Sequence, residues 1–383
     1  MTGKVFKKLN IIPALILAGF IFAGFSFYTA KAFPLAKNTL TLNVVAMGRE
    51  YCFCYPEIDY YQGEPYLKNA EEVVNGMYYD TIIHPKNAEV TVLPELEYPF
   101  KFKKEKEGKA IDKEDLLLKI DRALRLGESR IFAKEVILKP YLTVEKLQKS
   151  TYRRAFFSTN YTYSSDERKE NIRVCANYIG AVTLEDNQVF SFNDVVGERT
   201  EERGFKNAKI IEKGKFIEGV GGGVCQVSST MYNAVLLSGL KVIERRQHSM
   251  AVSYVEPSFD AMVSMGYSDL KFINNTGGVV FIIAKVDGDN ITVSVYGIKT
   301  DLSYEREFVV LEKIQPPQYL KTPSSELKVG EERVVVYPKE GLISQGYLKV
   351  YKDGVLIDKI PLSKDKYAPL QGEIIYGESG SIS

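Results

Sequence analysis

Twelve residues constrain this chain more than any others: Gly219-Val220-Gly221-Gly222-Gly223-Val224-Cys225-Gln226-Val227-Ser228-Ser229-Thr230. Glycine runs of this kind admit positive φ and close backbone approach. The apolar residues that follow, Met231, Tyr232, Ala234, Val235, Leu236 and Leu237, recur at helical spacing up to Gly239. The pattern predicts a tight turn that delivers Cys225 to the first turn of a buried helix. A short strand is expected next, carrying His248, one of two histidines in the chain.

A chain of 383 residues is long enough for two or three domains. Its formal net charge of +1 argues against nucleic-acid binding, which needs a basic face. The basic run Lys101 to Lys109 is interleaved with Glu and reads as a solvated face. No cofactor motif and no cluster with metal-ligand spacing is present, so no cofactor or metal is expected.

Residues 1–36 differ in texture. Lys4, Lys7 and Lys8 precede a nearly uncharged apolar run from Ile11 to Thr29. About 20 apolar residues can span a bilayer, with the Lys-rich flank left inside. Ala30-Lys31-Ala32 also fits a small-x-small cleavage site. The two expectations are a single-pass membrane anchor through residues 11–30 or a cleaved signal peptide with secretion. Both place the chain from about residue 37 outside the membrane.

Cys52, Cys54, Cys175 and Cys225 do not have the spacing of a disulfide scaffold. Cys52-Phe53-Cys54 on a strand would put both thiols on one face, as a buried pair. A Cys52–Cys54 or Cys54–Cys175 bridge is the alternative in an exported chain.

Residues 37–150 read as a small α+β domain. Residues 37–50, Asn38 to Val45 above all, alternate as a strand, residues 51–78 show no period, and Thr81 to His84 and Ala88 to Leu93 are short strand candidates. Asp112 is placed to cap a helix through Leu126 that Gly127 ends, and Thr143 to cap a short one through Leu147. His84, before Pro85, reads as a surface residue. Residues 151–300 read as a second α+β domain, with the cysteine helix packed on a β-sheet, a helix from Arg168 to Gly180, and strands at 251–255, 279–286 and 291–296. After Gln315-Pro316-Pro317, residues 315–377 read as an all-β module without a titratable cluster, suited to a spacer or adhesive role.

The candidate chemistry centres on Cys225. A helix N-terminus and a neighbouring imidazole both favour the thiolate. His248 could serve as its base, and Asp260 could orient that base or cap a turn after Pro257-Ser258, with Asp269 as the rival carboxylate. Gly221, Gly222 and Gly223 would leave amides near Val224–Gln226 free for an oxyanion. Gln226 could donate there or serve the helix start. Ser228 and Ser229 could bind a polar ligand or make local bonds. Arg199 and Arg245 could hold a carboxylate, or pair with acidic neighbours such as Glu198. Each of these residues also has a purely structural reading, with Cys225 and His248 as ordinary core side chains.

Phe190-Ser191-Phe192-Asn193, Gly197-Glu198-Arg199-Thr200, Gly204-Phe205, the Gly221–Thr230 block, Tyr232-Asn233-Ala234, Glu244-Arg245, His248-Ser249, Tyr254-Val255 and Asp260-Ala261 together resemble the VanW family. The resemblance covers about residues 155–298. Within residues 37–150, Gly108, Ile111-Asp112, Leu116 and the Leu138-Lys139-Pro140 strand end resemble the peptidoglycan-binding domain that precedes VanW domains, from which residues 51–78 depart. Gly330, Gly341, Gly346, Gly354, Pro361 to Pro369 and Gly377 resemble the rhythm of a G5 module. The order Cys, His, Asp is similar to that of transglutaminase-like and papain-like cysteine enzymes. What the resemblance implies is a bacterial envelope protein whose partner is peptidoglycan or another cell-wall polymer. It implies no reaction. A thiol amidase, peptidase or transpeptidase, a non-catalytic wall binder, and a structural element of an envelope or spore complex all remain open.

Overall fold

The computed structural model describes residues 40–212 and 215–377. The expected anchor or signal segment, residues 1–36, lies outside the described residues. Among the described residues no helix is long and apolar enough to cross a membrane. The described chain forms two compact units, one of residues 40–82 and 110–136, the other of 83–109 and 137–377.

In the first unit Leu42–Ala46 lies between Arg49–Phe53, antiparallel, and Arg130–Phe132, parallel. Its core is Leu42, Val44, Ala46, Leu116 and Ile120, all under 3% exposed. The helix Lys113–Leu126 begins where the Asp112 carboxylate accepts the Asp115 amide, at 3.2 Å, and ends at Gly127 with φ 69°, as local signals predicted. Two expectations fail here. Thr81 closes a helix, Ala70–Thr81, instead of opening a strand. Cys52 and Cys54 are exposed and Phe53 is the buried residue between them, because alternation turns the larger apolar side chain inward. All four cysteines are unbridged.

The second unit holds a four-stranded antiparallel sheet in the order Tyr152–Asn160, Asn290–Gly297, Val280–Asp287, Ala181–Leu184. Residues 83–109 belong to this unit, since Ala88 and Phe100 share a core with Leu147, Val279 and Phe281. The first compact unit is therefore narrower than the expected 37–150 span.

The cysteine helix, Val224–Leu237, packs on the four-stranded sheet and is buried on nearly every face. Val224, Val227, Thr230 and Val235 are mediocre helix formers, at a cost of up to about 0.7 kcal/mol each. Fully burying a side chain such as Val227, Met231 or Val235, each 0% exposed, is worth about 1.5–3 kcal/mol. Tertiary burial therefore decides that this segment is helical.

Two three-stranded sheets follow: Leu302–Ile314, Gly341–Lys352 and Val355–Tyr367, then Leu320–Val329, Glu373–Gly377 and Glu332–Val336. Leu302–Ile314 pairs with Gly341–Lys352 along its length. The all-β part thus starts at residue 302, ahead of the Pro316-Pro317 step that the sequence suggested as its edge. This β region packs in the same compact unit as the cysteine helix: Leu348 lies in its core.

Candidate active site

Gly223 caps the cysteine helix with φ 112° and supplies no side chain. A Cβ at Gly222 would lie 2.7 Å from the Lys209 carbonyl, and one at Gly223 3.0 Å from the Arg168 carbonyl. The glycines are thus required by φ and by close packing of the turn. The Val224 amide donates to Gly221 and the Gln226 amide to Gly223. That leaves the Cys225 amide, of these three, without a backbone acceptor among the described residues, at the positive end of the helix.

His248 does not sit on the expected strand. Lys241–Glu244 ends before it, and residues 245–263, including the expected strand at 251–255, run as irregular backbone. The alternation there misleads because side chains satisfy this backbone. Asn233 Nδ2 donates to the Phe259 carbonyl at 2.8 Å, Ser229 Oγ accepts the Ala261 amide at 2.9 Å, and Ser228 Oγ donates to the Ala261 carbonyl at 2.6 Å. The helix that carries Cys225 thereby grips the chain on both sides of Asp260.

Asp260, 1% exposed, is saturated with donors. Oδ2 lies 2.7 Å from the His248 amide and 2.6 Å from ring Nδ1; Oδ1 accepts from Arg245 Nη2 at 2.9 Å and from the Tyr367 hydroxyl at 2.6 Å. With Nδ1 fixed on Asp260, the other ring nitrogen is free to serve Cys225. The half-buried thiol interacts electrostatically with that ring, and its Sγ donates to the Val263 carbonyl at 3.5 Å. Asp269 is not a rival. Its carboxylate is spent on Ser191 Oγ and on the Asn193 and Leu270 amides.

Burial alone would push the Cys225 thiol up, but the bond and charge of His248 outweigh it and hold the thiol below its ordinary value. Burial would lower His248, yet its bonds to Asp260 and Cys225 raise it to about 9. Burial would raise Asp260, but His248, Arg245 and Tyr367 hold it below the usual carboxylate range. The three directions favour the ion-pair side of the Cys225–His248 equilibrium, with the Asp260 carboxylate behind it.

Cys225 and His248 line a groove of about 1960 Å³, together with Arg168, Arg199, Tyr254 and Lys339. Tyr254 is within electrostatic reach of Cys225. Burial, and then the charge of Cys225, hold its phenol well above the ordinary value, so it stays a donor.

The other candidates fall into two groups. Gln226 does not face the groove with free groups: its amide donates to Thr159 Oγ1 and the Asn160 carbonyl and accepts from Arg168. Ser228 and Ser229 bond the helix and the Asp260 loop. Arg245 is committed to Asp260 and Asp365. Arg199 does line the groove; one of its nitrogens bonds Asn193, and Nη1 is buried without a partner. Sequence reasoning gave Arg168 and Tyr254 no role beyond the VanW-like block, and it missed Asp365 and Tyr367. A signal existed for the last two, because Ser363, Asp365 and Tyr367 alternate and so share one strand face.

Residues 167–296 match the family described as VanW like protein. Over 171 residues the chain is 40% identical to the uncharacterized protein YoaR of Bacillus subtilis, covering 44% of this chain and 56% of that protein. Over 135 residues it is 27% identical to the vancomycin B-type resistance protein VanW of Enterococcus faecalis, covering 34% of this chain and 49% of that protein. The chain thus spans about half the length of these curated relatives. Among solved structures, it is similar to the crystal structure of HP0197-G5 at 17% identity, covering 20% of this chain and 100% of that one with a TM-score of 0.13. It is also similar to the IgA1 protease G5 domain at 20% identity, covering 21% and 94% with a TM-score of 0.16. The chain carries a VanW-like domain.

Proposed function

We propose that the VanW-like domain of this chain is a thiol-dependent acyl-transfer centre, an amidase, peptidase or transpeptidase, that works on peptidoglycan stem peptides or another envelope polymer outside the membrane. One observation carries the reading: a half-buried cysteine at a helix N-terminus meets a histidine whose Nδ1 is locked on a buried carboxylate, inside an open groove. Nucleophile, base and orienting group in this order are what acyl transfer by a thiol needs.

The Cys225 thiolate attacks an amide carbonyl carbon, and the C–S bond forms as the π electrons move to oxygen. This reading assigns that oxyanion to the Cys225 amide at the helix start, with the Tyr254 phenol on the groove wall as a second donor. On collapse the C–N bond breaks, and the His248 imidazolium gives its proton to the leaving amine. Water or a second amine then attacks the thioester, neutral His248 takes the proton of that nucleophile, and the thiolate leaves. Asp260 stays ionised throughout and holds the ring. Arg168, Arg199 and Lys339 give the groove cations suited to the carboxylates of peptide stems.

The test is incubation of the chain from residue 37 onward with purified peptidoglycan, followed by mass spectrometry of the muropeptides. New or shortened stem peptides are expected with wild type and none with Cys225→Ala. Unchanged muropeptides, with equal retention of wild type and Cys225→Ala on the polymer, would leave a wall-binding protein instead.

A further inference from the structure

Asp365, Arg245, Asp260 and His248 form a buried row of paired groups that ends at the half-buried Cys225. Asp365 grips Arg245 Nη1 with both oxygens, at 2.8 and 2.6 Å. Arg245 in turn donates to the Asp260 carboxylate at 2.9 Å and to its backbone carbonyl at 2.6 Å. The first member of the row, and the hydroxyl that caps Asp260, come from the C-terminal β region, on the strand Val355–Tyr367.

We propose that this strand completes the thiol centre: Tyr367, and Asp365 through Arg245, are positioning residues that hold Asp260 ionised and aligned against His248. The inference rests on the thiol reading above. It replaces the expectation that the C-terminal module lacks a titratable cluster and acts as a spacer.

The direction of the Tyr367 hydrogen bond is fixed by its surroundings. Its hydroxyl oxygen accepts the Ser258 amide at 2.8 Å, so its own proton goes to Asp260 Oδ1 at 2.6 Å. Tyr367 is 1% exposed and Asp365 2%. A buried carboxylate with fewer donors would keep its proton. The groups acting on Asp260 are His248, Arg245, Tyr367, Tyr232 and Tyr254. Of these Tyr367 comes from the C-terminal region, as does Asp365, which acts on Arg245. Three further links fasten the region in place: Arg245 Nη1 to Ser363 Oγ, Ser258 Oγ to Ser344 Oγ, and the Ala368 amide to the Ser249 carbonyl. Ser363, Asp365 and Tyr367 occupy alternate positions, so one strand face supplies every side-chain contact that Val355–Tyr367 makes with Arg245 and Asp260.

The experiment compares full-length wild type, Tyr367→Phe, Asp365→Asn and the control Tyr351→Phe. Iodoacetamide labelling of Cys225 is followed against pH by peptide mapping, and the His248 ring is titrated by NMR. The chain has only two histidines, which makes the assignment direct. Loss of the Tyr367 donor raises Asp260, so the acid limb of labelling is expected to move up by about one pH unit. Loss of the Asp365 charge leaves Arg245 less compensated, so the His248 midpoint is expected to fall from about 9 by on the order of half a unit or more. Tyr351→Phe should follow wild type. If wild-type Cys225 is inert, the thiol reading falls and this inference falls with it. If wild type is reactive and the folded variants superimpose on it in both measurements, the inference is overturned and the thiol reading stands. Should one variant fail to fold, the shift or its absence in the other decides.

Discussion

Asp260 holds His248 twice with a single oxygen: Oδ2 accepts the backbone amide at 2.7 Å and faces ring Nδ1 at 2.6 Å. A carboxylate that fixes both main chain and ring leaves the imidazole one orientation. The ring's reach to Cys225 is then a property of the loop and does not depend on a rotamer preference.

The first consequence is thiol reactivity. Cys225 is expected to react with iodoacetamide at mildly acidic pH, where an ordinary thiol, with a pKa of about 8.5, is silent. His248→Ala removes the largest influence that opposes burial and leaves only Val263 and Arg199 against it, so the onset of labelling should move up in pH. Peptide mapping after a pH series checks this. Equal profiles for wild type and His248→Ala would sink the pairing.

A second consequence concerns stability against pH. The folded value of His248 is raised to about 9, so its contribution is full below an unfolded value of about 6.5 and is lost as pH rises through about 9. Cys225 has a depressed folded value, so its contribution is full above the unfolded thiol value and is lost as pH falls through the folded one. Between about pH 6.5 and 8.5 the two slopes oppose each other, and wild-type Tm should vary little. Cys225→Ser removes the rising half and one of the two groups that raise His248, so its Tm should fall as pH rises only through the part of that range in which Asp260 still holds the ring above its unfolded value. Differential scanning fluorimetry across the range decides, and a flat curve for Cys225→Ser would count against the linkage.

Ser229→Ala strips the acceptor from the buried Ala261 amide. An unsatisfied buried donor costs about 1–3 kcal/mol, so Tm should drop. The Asp260 loop is loosened too, so Cys225 labelling at acidic pH should slow. A Tm loss with an unchanged labelling rate would confine Ser229 to packing.

Gly223→Ala meets two obstacles at once, φ 112° and a Cβ 3.0 Å from both the Arg168 carbonyl and Ile172 Cγ1. Left-handed backbone in a residue with a side chain costs roughly 1–3 kcal/mol. Chemical denaturation should report a loss at or above the top of that range, with the contact added. Gly266→Ala has a φ of 71° but open space around it, and should lose less.

Where structure is encoded locally, the sequence could be read. Asp112, Gly127, Thr143 and Gly180 mark helix ends because a cap is a matter of two or three neighbouring residues. Cys225 at a helix start was legible for the same reason, since three glycines before an apolar run have few other uses. The loop from 245 to 263 was not. Ala251 to Val255 alternates like a strand, but the partners of this backbone are Ser228, Ser229 and Asn233 on a helix, which no local pattern specifies. Tyr367 was least legible of all. Its partner lies 107 positions earlier, and only the sheet register that joins Leu342 to Tyr367 and Ser344 to Asp365 brings it round.

That register carries a cost in timing. A slip of one residue between Gly341–Lys352 and Val355–Tyr367 would turn Ser363, Asp365 and Tyr367 to the opposite face together. A chain still being made therefore holds Cys225, His248 and Asp260 well before it holds the strand that backs them. On the proposed reading, its thiol reaches full reactivity only once Val355–Tyr367 is in register.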